Sequence, residues 1–215
     1  MDFIFDPSLV LYLPLHSLDG ASFQSKDDYG HLCTRTGAIW TPWGRLFDGS
    51  DDLIDCGSGA SLNVTTAFTV LLWVKFDTIT PPGGDYNILL ADTDLKQIYF
   101  MYYKTNKATG LYINNTSQNR AGNTELAVDT WYCLDGGYDG GNLVLDLGLN
   151  GEDDTGALTG EIPGSLPAMG GTKRLGYFNA NELLDGFIGE VWLFNRHLSR
   201  LERQNLYLAT KWRYR

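Results

Sequence analysis

The sequence lacks any apolar run close to the roughly 20 residues that a membrane-spanning helix needs. Even the strongly apolar stretch Val70–Val74 is bounded by Thr69 and Lys75. The N-terminal segment Met1–Pro7 has neither a basic start nor a cleavage site, so we expect no signal peptide. These features predict synthesis in the cytoplasm and no insertion into a membrane.

Cysteine is also scarce. Cys33, Cys56 and Cys133 are an odd number at no metal-binding spacing. We expect buried thiols in a reducing setting, and the alternative is one disulfide with one free cysteine.

Glutamate and basic residues are few, and the acidity comes from aspartate. Of the 26 acidic residues 20 are Asp, which favours turns and loops rather than helices. The net charge of −10 argues against nucleic acid as a binding partner, because phosphate contacts need clustered Lys and Arg. Residues 196–215 nevertheless carry +5, which leaves −15 on residues 1–195.

The remaining composition favours many short strands. There are 25 glycines, 13% of the residues are aromatic, and only 20% are charged. Ala67–Phe76 is the strongest strand, and because both of its faces are apolar we expect it to be central and covered on both sides. The other predicted strands are Leu9–Leu15, Gly44–Phe47, Leu53–Cys56, Asn87–Ala91, Gln97–Lys104, Gly110–Asn114, Trp131–Leu134, Leu143–Leu149 and Phe187–Phe194.

One helix is predicted, after the last strand. Ser199 and Glu202 have the spacing of a capping box, and no Gly or Pro interrupts the run Ser199–Leu208. We therefore predict an all-β fold, a two-sheet antiparallel jelly-roll sandwich with one short C-terminal helix, as a single domain over residues 1–215.

Several motifs along the chain carry a family resemblance. They lie at Gly44–Asp55, Ser61–Lys75, Thr130–Tyr132, Gly137–Gly141, Leu149–Gly151 and Leu184–Ser199. In this order they resemble the laminin G-like jelly rolls of the concanavalin A-like lectin/glucanase superfamily. The resemblance implies the fold; it does not imply one function, because this fold carries lectins, glycosidase domains, adhesion modules and virion proteins. Phe47 and Trp73 are expected to fill the space between the two sheets.

No catalytic motif is found, and we predict that the protein is not an enzyme. A glycosidase needs two carboxyl groups across a cleft. The run Glu152-Asp153-Asp154 departs from the laminarinase-type pattern because Ala157 stands where a second Glu is needed. His16, His31 and His197 are isolated, and none has a second His or Cys at the spacing of metal ligands.

Many relatives hold calcium with loop carboxylates, so Ca²⁺ is a possible cofactor here. The candidate ligands are the four acids of one turn, Asp48, Asp51, Asp52 and Asp55. The alternative is that these residues only form the turn. In addition, the last strand reads Gly189-Glu190-Val191, where relatives often have Asp-Glu-Val, so one acid of the family pattern is missing.

Glycan binding needs exposed aromatic rings beside polar groups. The candidate rings lie in predicted loops or connections, and they are Trp40, Trp43, Tyr86 and Tyr138. Packing within the fold is the alternative for each. Tyr99, Tyr102, Tyr103 and Tyr112 fall on predicted strands, so we interpret them as sheet-packing residues.

The basic C-terminal end resembles a docking peptide. Its candidate residues are Arg200, Arg203, Lys211, Trp212, Arg213 and Arg215, and the alternative is that they fold back onto the acidic body. The leading hypothesis is a non-enzymatic recognition or structural module on a virus or phage particle, as a decoration, capsid-associated or tail protein. The alternative is a calcium-assisted carbohydrate-binding module of a bacterial surface or polysaccharide-processing system. Other subunits or glycans are the expected partners, in an oligomer on a virion surface or outside the cell.

Overall fold

The computed structural model describes residues 3–80 and 84–214. The predicted loop at Pro81, Pro82 and Gly83 lies outside these residues. Nineteen strands are assigned within them: β1 Leu9–Pro14, β2 Ser22–Gln24, β3 Leu32–Thr36, β4 Ile39–Thr41, β5 Gly44–Asp48, β6 Leu53–Asp55, β7 Ala67–Phe76, β8 Tyr86–Asp92, β9 Tyr99–Tyr103, β10 Ala108–Ile113, β11 Gln118–Gly122, β12 Trp131–Asp139, β13 Val144–Leu149, β14 Glu152–Asp153, β15 Thr155–Thr159, β16 Lys173–Leu175, β17 Tyr177–Asn179, β18 Glu182–Leu183 and β19 Asp185–Phe194. The α-helix α1 spans Arg200–Thr210, and 3₁₀ turns lie at Phe3–Phe5, Ala60–Leu62 and Lys211–Arg213.

The strands form two large antiparallel sheets, as the sequence predicts. Sheet 1 has eight strands, seven in the order β14-β13-β12-β7-β19-β5-β4, with β1 paired to β19. Sheet 2 has nine strands in the order β15-β11-β10-β9-β8-β16-β6-β3-β2. The short pair β17-β18 stands apart from both sheets. The predicted all-β sandwich with a C-terminal helix is confirmed.

The main core lies between the inner faces of the two sheets. Alternation along β7 turns Val70, Leu72 and Val74 inward, where they join the buried side chains of sheet 2, such as Phe100 and Leu111. Phe47 is fully buried in this core, as predicted. Burial of so much apolar surface is the dominant stabilising contribution to such a sandwich.

The outer face of sheet 1 is covered by a second apolar cluster. Leu71 and Trp73, on the outer face of β7, pack there with Leu206 of α1 and with Tyr214. The prediction that β7 is covered on both sides is therefore confirmed. The prediction that Trp73 fills the space between the sheets is wrong, because position 73 alternates outward, under the helix.

The helix begins as its sequence predicts. Ser199 caps it, accepting from the Glu202 amide, while the Glu202 carboxylate accepts from the Ser199 amide at 2.8 Å. The helix ends at Thr210, two residues beyond the predicted run. No helix in the described part of the chain is long and apolar enough to cross a membrane. The three cysteines are buried and free, which confirms the expected thiols.

Strand β12 is longer than predicted, because its glycines are not turn residues. The sequence suggests that the strand ends at Leu134, yet pairing continues through Asp139. A Cβ on Gly136 would lie 2.9 Å from the Leu111 side chain of the facing sheet. A Cβ on Gly137 would lie 2.2 Å from an Arg203 nitrogen beneath the helix. These glycines therefore provide clearance on the two faces of sheet 1.

Candidate functional site

Aromatic side chains form a row on the outer face of sheet 2. Alternation along β9 turns Phe100 and Tyr102 into the main core and Tyr99 toward the outer face. The antiparallel register places Tyr99 directly opposite Tyr112 of β10, and Tyr86 of β8 lies opposite Tyr103. Three neighbouring strands thus present their rings side by side.

The rings meet edge to face. The Tyr99 ring is at the centre, with its centroid 6.0 Å from that of Tyr86, 6.1 Å from that of Tyr112 and 5.5 Å from that of Phe178. The interplanar angles are 81°, 88° and 85°, the arrangement that aromatic quadrupoles favour. Tyr99 is buried, while the other three rings are half-buried and reach solvent.

Polar groups border the rings at the β17–β18 turn. The Asn179 amide nitrogen donates to Glu182 at 2.6 Å. Rings and polar groups together line an open hollow of about 310 Å³. We call it the tyrosine groove, and its principal lining residues are Tyr86, Tyr99, Tyr112, Phe178, Asn179 and Glu182.

The tyrosine hydroxyls of the groove remain protonated at neutral pH. Burial, followed by the charge of Glu182, raises the pKa of Tyr99 above its usual range. Burial, followed by the neighbouring Tyr112 and Tyr103 hydroxyls, raises the pKa of Tyr86 to about 12. The groove therefore offers apolar ring surfaces, hydroxyl donors and one carboxylate acceptor in the same hollow, as a polyhydroxylated ligand requires.

The predicted ligand rings are dispersed by the fold. Tyr86 lies in the tyrosine groove. Trp40 lies on β4, where its Nε1 donates to the His16 carbonyl oxygen at 3.0 Å. Trp43 is 52% exposed and lies in a hollow with Trp131 and Phe187 of sheet 1. The prediction for Tyr138 is wrong, because its ring is fully buried in β12 and its hydroxyl donates to the Pro163 carbonyl oxygen.

The predicted metal ligands come together in part. Carboxylate oxygens of Asp48, Asp51 and Asp52 lie within 4.8 Å of one another in the β5–β6 turn. Burial raises the pKa of Asp52, and the charges of Asp48 and Asp51 act in the same direction. Asp55 is not part of this group, since its Oδ2 accepts from the Arg174 Nε at 2.9 Å.

Three of the six predicted docking residues are used within the chain. Arg203 is fully buried, so its proposed contact with a partner is wrong. Arg200 pairs with Asp135 at 3.0 Å, and Arg213 pairs with Glu190. These contacts favour the alternative that the basic end folds back onto the acidic body.

Two other docking candidates remain open to solvent. Trp212 is 63% exposed, and the Lys211 ammonium lies 5.4 Å from the Tyr207 ring centroid. Arg215 lies outside the described residues.

Sequence reasoning missed most of the tyrosine groove. The sequence predicts packing roles for Tyr99 and Tyr112; in the structure they pack against each other and also line the hollow. Phe178, Asn179 and Glu182 come from β17 and β18, a pair too short to be predicted from the sequence. The available signal was the sequence of β9, where Tyr99, Met101 and Tyr103 share one face while Phe100 and Tyr102 take the other, so both faces carry large side chains.

Comparison with known families gives one match over most of the chain. Residues 48–202 match a laminin G-type family model described as the concanavalin A-like lectin/glucanases superfamily. Comparison with curated proteins gives no match.

Solved structures with the same fold include two kinds of protein. A Trypanosoma rangeli sialidase superposes with a TM-score of 0.74 at 16% identity, over 98% of this chain and 34% of that chain. The receptor binding domain of botulinum neurotoxin D superposes with a TM-score of 0.72 at 14% identity, over 94% of this chain and 52% of that chain. This chain therefore spans about a third of the sialidase and about half of the toxin domain, and at these identities the likeness shows the fold alone.

Proposed function

Because this chain belongs to the concanavalin A-like lectin/glucanase superfamily, we propose that it is a non-enzymatic glycan-binding protein whose sugar site is the tyrosine groove. One observation carries the proposal: half-buried rings from β8, β10 and β17 surround a hollow that also contains a carboxylate and an amide. Sugar rings present C–H faces that pack on aromatic rings and hydroxyls that pair with such polar groups.

Binding without hydrolysis is supported by the acids of the groove. Glu182 is the one carboxylate among its described lining residues. Glycoside hydrolysis uses two carboxyl groups on opposite sides of the scissile bond. A groove with a single carboxylate fits a sugar that is held and released unchanged.

The similar solved structures are consistent with recognition but do not define the ligand. One is a sialidase in complex with sialic acid, and another is a toxin receptor binding domain. At such low identity, their ligands and activities are not carried over to this chain. The sugar class is therefore proposed from the neutral hydroxyls and single acid of the groove, which suit uncharged saccharides.

Calcium binding is a second part of the proposal. Asp48, Asp51 and Asp52 provide three carboxylates, and Ca²⁺ takes six to eight oxygens, so carbonyl groups or waters would complete the shell. Bound calcium would offset the repulsion between the three acids and hold the β5–β6 turn in one conformation.

A structural role in an assembly is the second candidate function. Leu201, Leu208 and Trp212 are 65%, 47% and 63% exposed at the C-terminal helix and its 3₁₀ extension. Exposed apolar side chains of this size are the kind that subunit contacts cover. The assembly role is tested by measuring the oligomeric state of the purified chain by light scattering. A location on the surface of a virus or phage particle stays a prediction from the sequence.

The glycan-binding proposal is tested on an array of neutral and acidic glycans. We expect binding of neutral glycans by the unmodified chain and loss of binding to the same glycans by Tyr112→Ala. Leu158→Ala, which changes an exposed side chain of β15 away from the groove, serves as the matched control. No binding of any neutral glycan by the unmodified chain, or equal binding of neutral glycans by Tyr112→Ala, would contradict the proposal.

A further inference from the structure

A second aromatic groove lies on the opposite sheet from the tyrosine groove. Strands β12, β7 and β19 are adjacent in sheet 1, and their register aligns Trp131, Lys75 and Phe187 in one row. The Trp131 and Phe187 ring centroids lie 6.1 Å apart, and the Lys75 ammonium lies 4.5 Å from the Phe187 centroid. Trp43, at the β4–β5 turn, lines the same hollow as these three side chains.

Trp131 separates two hollows. The first, of about 340 Å³, is lined by Trp43, Lys75, Asp129, Trp131 and Phe187. The second, of about 300 Å³, is lined by Trp73, Trp131, Asn150, Tyr207, Lys211 and Tyr214. Each volume is at the lower end of the range for ligand pockets. We call the two hollows together the Trp131 groove.

The walls of the second hollow are fixed in position. The Tyr214 ring lies between Trp73, at 4.4 Å, and Trp131, at 4.8 Å between centroids. The Trp73 Nε1 donates to the Thr210 hydroxyl at 2.8 Å, which orients the indole. The Asn150 Oδ1 accepts from the Cys133 amide at 2.9 Å, so its position at the hollow is also set. A ligand would find these walls already in place, and binding would cost little ordering entropy.

The two hollows differ in charge. In the first, the Lys75 ammonium lies 3.6 Å from Asp77 and 3.7 Å from Asp129, so its charge is matched by carboxylates. In the second, the Lys211 ammonium lies over the Tyr207 ring. Among the bases of the described segment 196–214, Lys211 is the one that has no carboxylate of a described residue within 4.0 Å. The second hollow therefore has a positive charge available for an anion.

We propose that the Trp131 groove binds an acidic glycan chain of at least two sugar residues, with its acidic group beside Lys211. One sugar packs against Trp131 in the Lys211 hollow. Its neighbour occupies the Trp43 hollow, where Lys75 and Asp129 pair with hydroxyl groups. This site lies on a different sheet from the tyrosine groove and has a different charge preference, so it stands independently of the function proposed above.

The strand positions argue against an extended peptide as the occupant. Peptides often bind by adding a strand to an open sheet edge. Strands β12, β7 and β19 are each paired on both sides, so their backbone groups are already used. A sugar chain needs no backbone partner, since rings and charged side chains supply its contacts.

Two sites on opposite sheets also have a functional consequence. A chain with one glycan site on each face bridges two glycans, or holds two segments of one polymer with increased avidity. The protein would therefore stay bound to a polysaccharide even if the affinity of each groove for its sugar were only modest.

The test uses uronate-containing oligosaccharides and their methyl esters, which keep the sugar but remove its charge. The panel contains glucuronate, galacturonate and mannuronate oligomers of four residues. Isothermal titration of the unmodified chain is expected to give binding to at least one acid form. Its methyl ester is expected to bind at least tenfold more weakly, and added salt is expected to weaken the acid form.

Three variants assign the site. Lys211→Met is expected to lower affinity for the acid form at least tenfold, and Trp43→Ala is expected to lower it without changing the preference for acid over ester. Lys104→Met, an exposed lysine elsewhere, is the matched control and is expected to bind as the unmodified chain does. Trp131→Phe tests the shared wall with less risk to the fold than Trp131→Ala.

Several results would overturn the proposal. They are no binding of any acid form, equal binding of acid and ester, or unchanged binding by Lys211→Met. Loss of acid binding in Tyr112→Ala would instead assign these ligands to the tyrosine groove and would also refute the Trp131 site. If Tyr112→Ala loses binding to neutral glycans on the array but still binds the acidic oligosaccharides, the result would support each of the two proposals.

Discussion

The Nη1 of Arg203 lies 2.9 Å from an Asp135 carboxylate oxygen, and neither side chain is exposed to solvent. The same nitrogen lies 2.8 Å from Asp146, and the Arg200 Nη1 lies 3.0 Å from the same Asp135 oxygen. Burial raises the pKa of Asp135, while the Arg203 and Arg200 charges oppose that rise. This group of charges fixes α1 on the outer face of sheet 1, and with it the Tyr207 wall of the Trp131 groove.

Removing the guanidinium is expected to be costly. Arg203→Met would leave Asp135 buried with only Arg200 as a charged partner, and loss of one partner from a buried pair typically costs about 3–5 kcal/mol. The free energy of unfolding, from urea denaturation, measures this loss. Lys26→Met removes the partly exposed Lys26–Asp19 pair and is expected to cost less than about 1 kcal/mol. Equal effects of the two substitutions would contradict the account of the buried group.

Glu202 makes the anchoring of the helix dependent on pH. Hydrogen bonds from Arg196 and then from Ser199 lower the pKa of Glu202 to about 2, from an ordinary value of 4.5. Because the folded-state pKa is depressed, this stabilisation is complete above pH 4.5 and is lost as the pH falls toward 2. After allowance for partial exposure of the side chain, we expect Glu202→Gln to cost about 1–2 kcal/mol at pH 7.

The pH series is the measurement. Urea denaturation of the unmodified chain and Glu202→Gln between pH 7 and pH 3 is expected to show a difference that narrows below pH 4.5. A difference that stays constant over this range would show that the carboxylate charge has no part in the stabilisation.

Calcium is expected to raise the unfolding temperature. For a dissociation constant of about 0.1 mM, 1 mM Ca²⁺ would stabilise the chain by about 1.4 kcal/mol, or roughly 3–6 °C. Asp51→Asn is expected to remove this shift, whereas Asp55→Asn is expected to keep it, since Asp55 bonds to Arg174 instead. Differential scanning fluorimetry with Ca²⁺ and with chelator checks both. The absence of any shift in the unmodified chain would refute the calcium proposal.

The contribution of the tyrosine groove is expected to come from its rings. Tyr112→Ala should weaken binding of an array-identified glycan about fivefold or more, because loss of a packed ring costs on the order of 1 kcal/mol or more. Tyr112→Phe keeps the ring and should retain most of the affinity. Titration calorimetry of both variants separates the contribution of the ring to glycan affinity from that of the hydroxyl. Equal losses of affinity in the two variants would contradict the assignment to the ring.

The glycines of β12 are expected to tolerate no side chain. Gly137→Ala would place a Cβ 2.2 Å from Arg203, and we expect a loss of about 2–4 kcal/mol in the free energy of unfolding. Gly141→Ala is the control, since its Cβ would meet its nearest atom at 3.4 Å on the exposed side of the turn. A small effect at Gly137 would show that the helix shifts easily over the sheet.

The sequence predicts the fold because the fold rests on local patterns. Alternation on Ala67–Phe76 and the cap at Ser199 each depend on neighbouring residues, and each is found as predicted. From local composition, the glycines of β12 are expected to form a turn. The reason for their presence is the close approach of Leu111 and Arg203, which belong to distant segments, so no local pattern reveals it.

The candidate sites could be predicted only in part. Trp43 and Tyr86 were indicated, because their neighbours predict exposed turns. Tyr112 was placed on a strand correctly, but which face of that strand is open depends on what covers the sheet. Arg203 was interpreted as a surface base, because nothing near it in the sequence reveals the distant Asp135 that neutralises it.

The most direct test is a crystal structure of the chain with the neutral glycan that binds best on the array. We predict electron density for a sugar ring packed against Tyr112 and Phe178, with a hydroxyl hydrogen-bonded to Glu182. Density confined to another surface, at a glycan concentration well above the dissociation constant measured in solution, would contradict the proposal that the tyrosine groove is the sugar site.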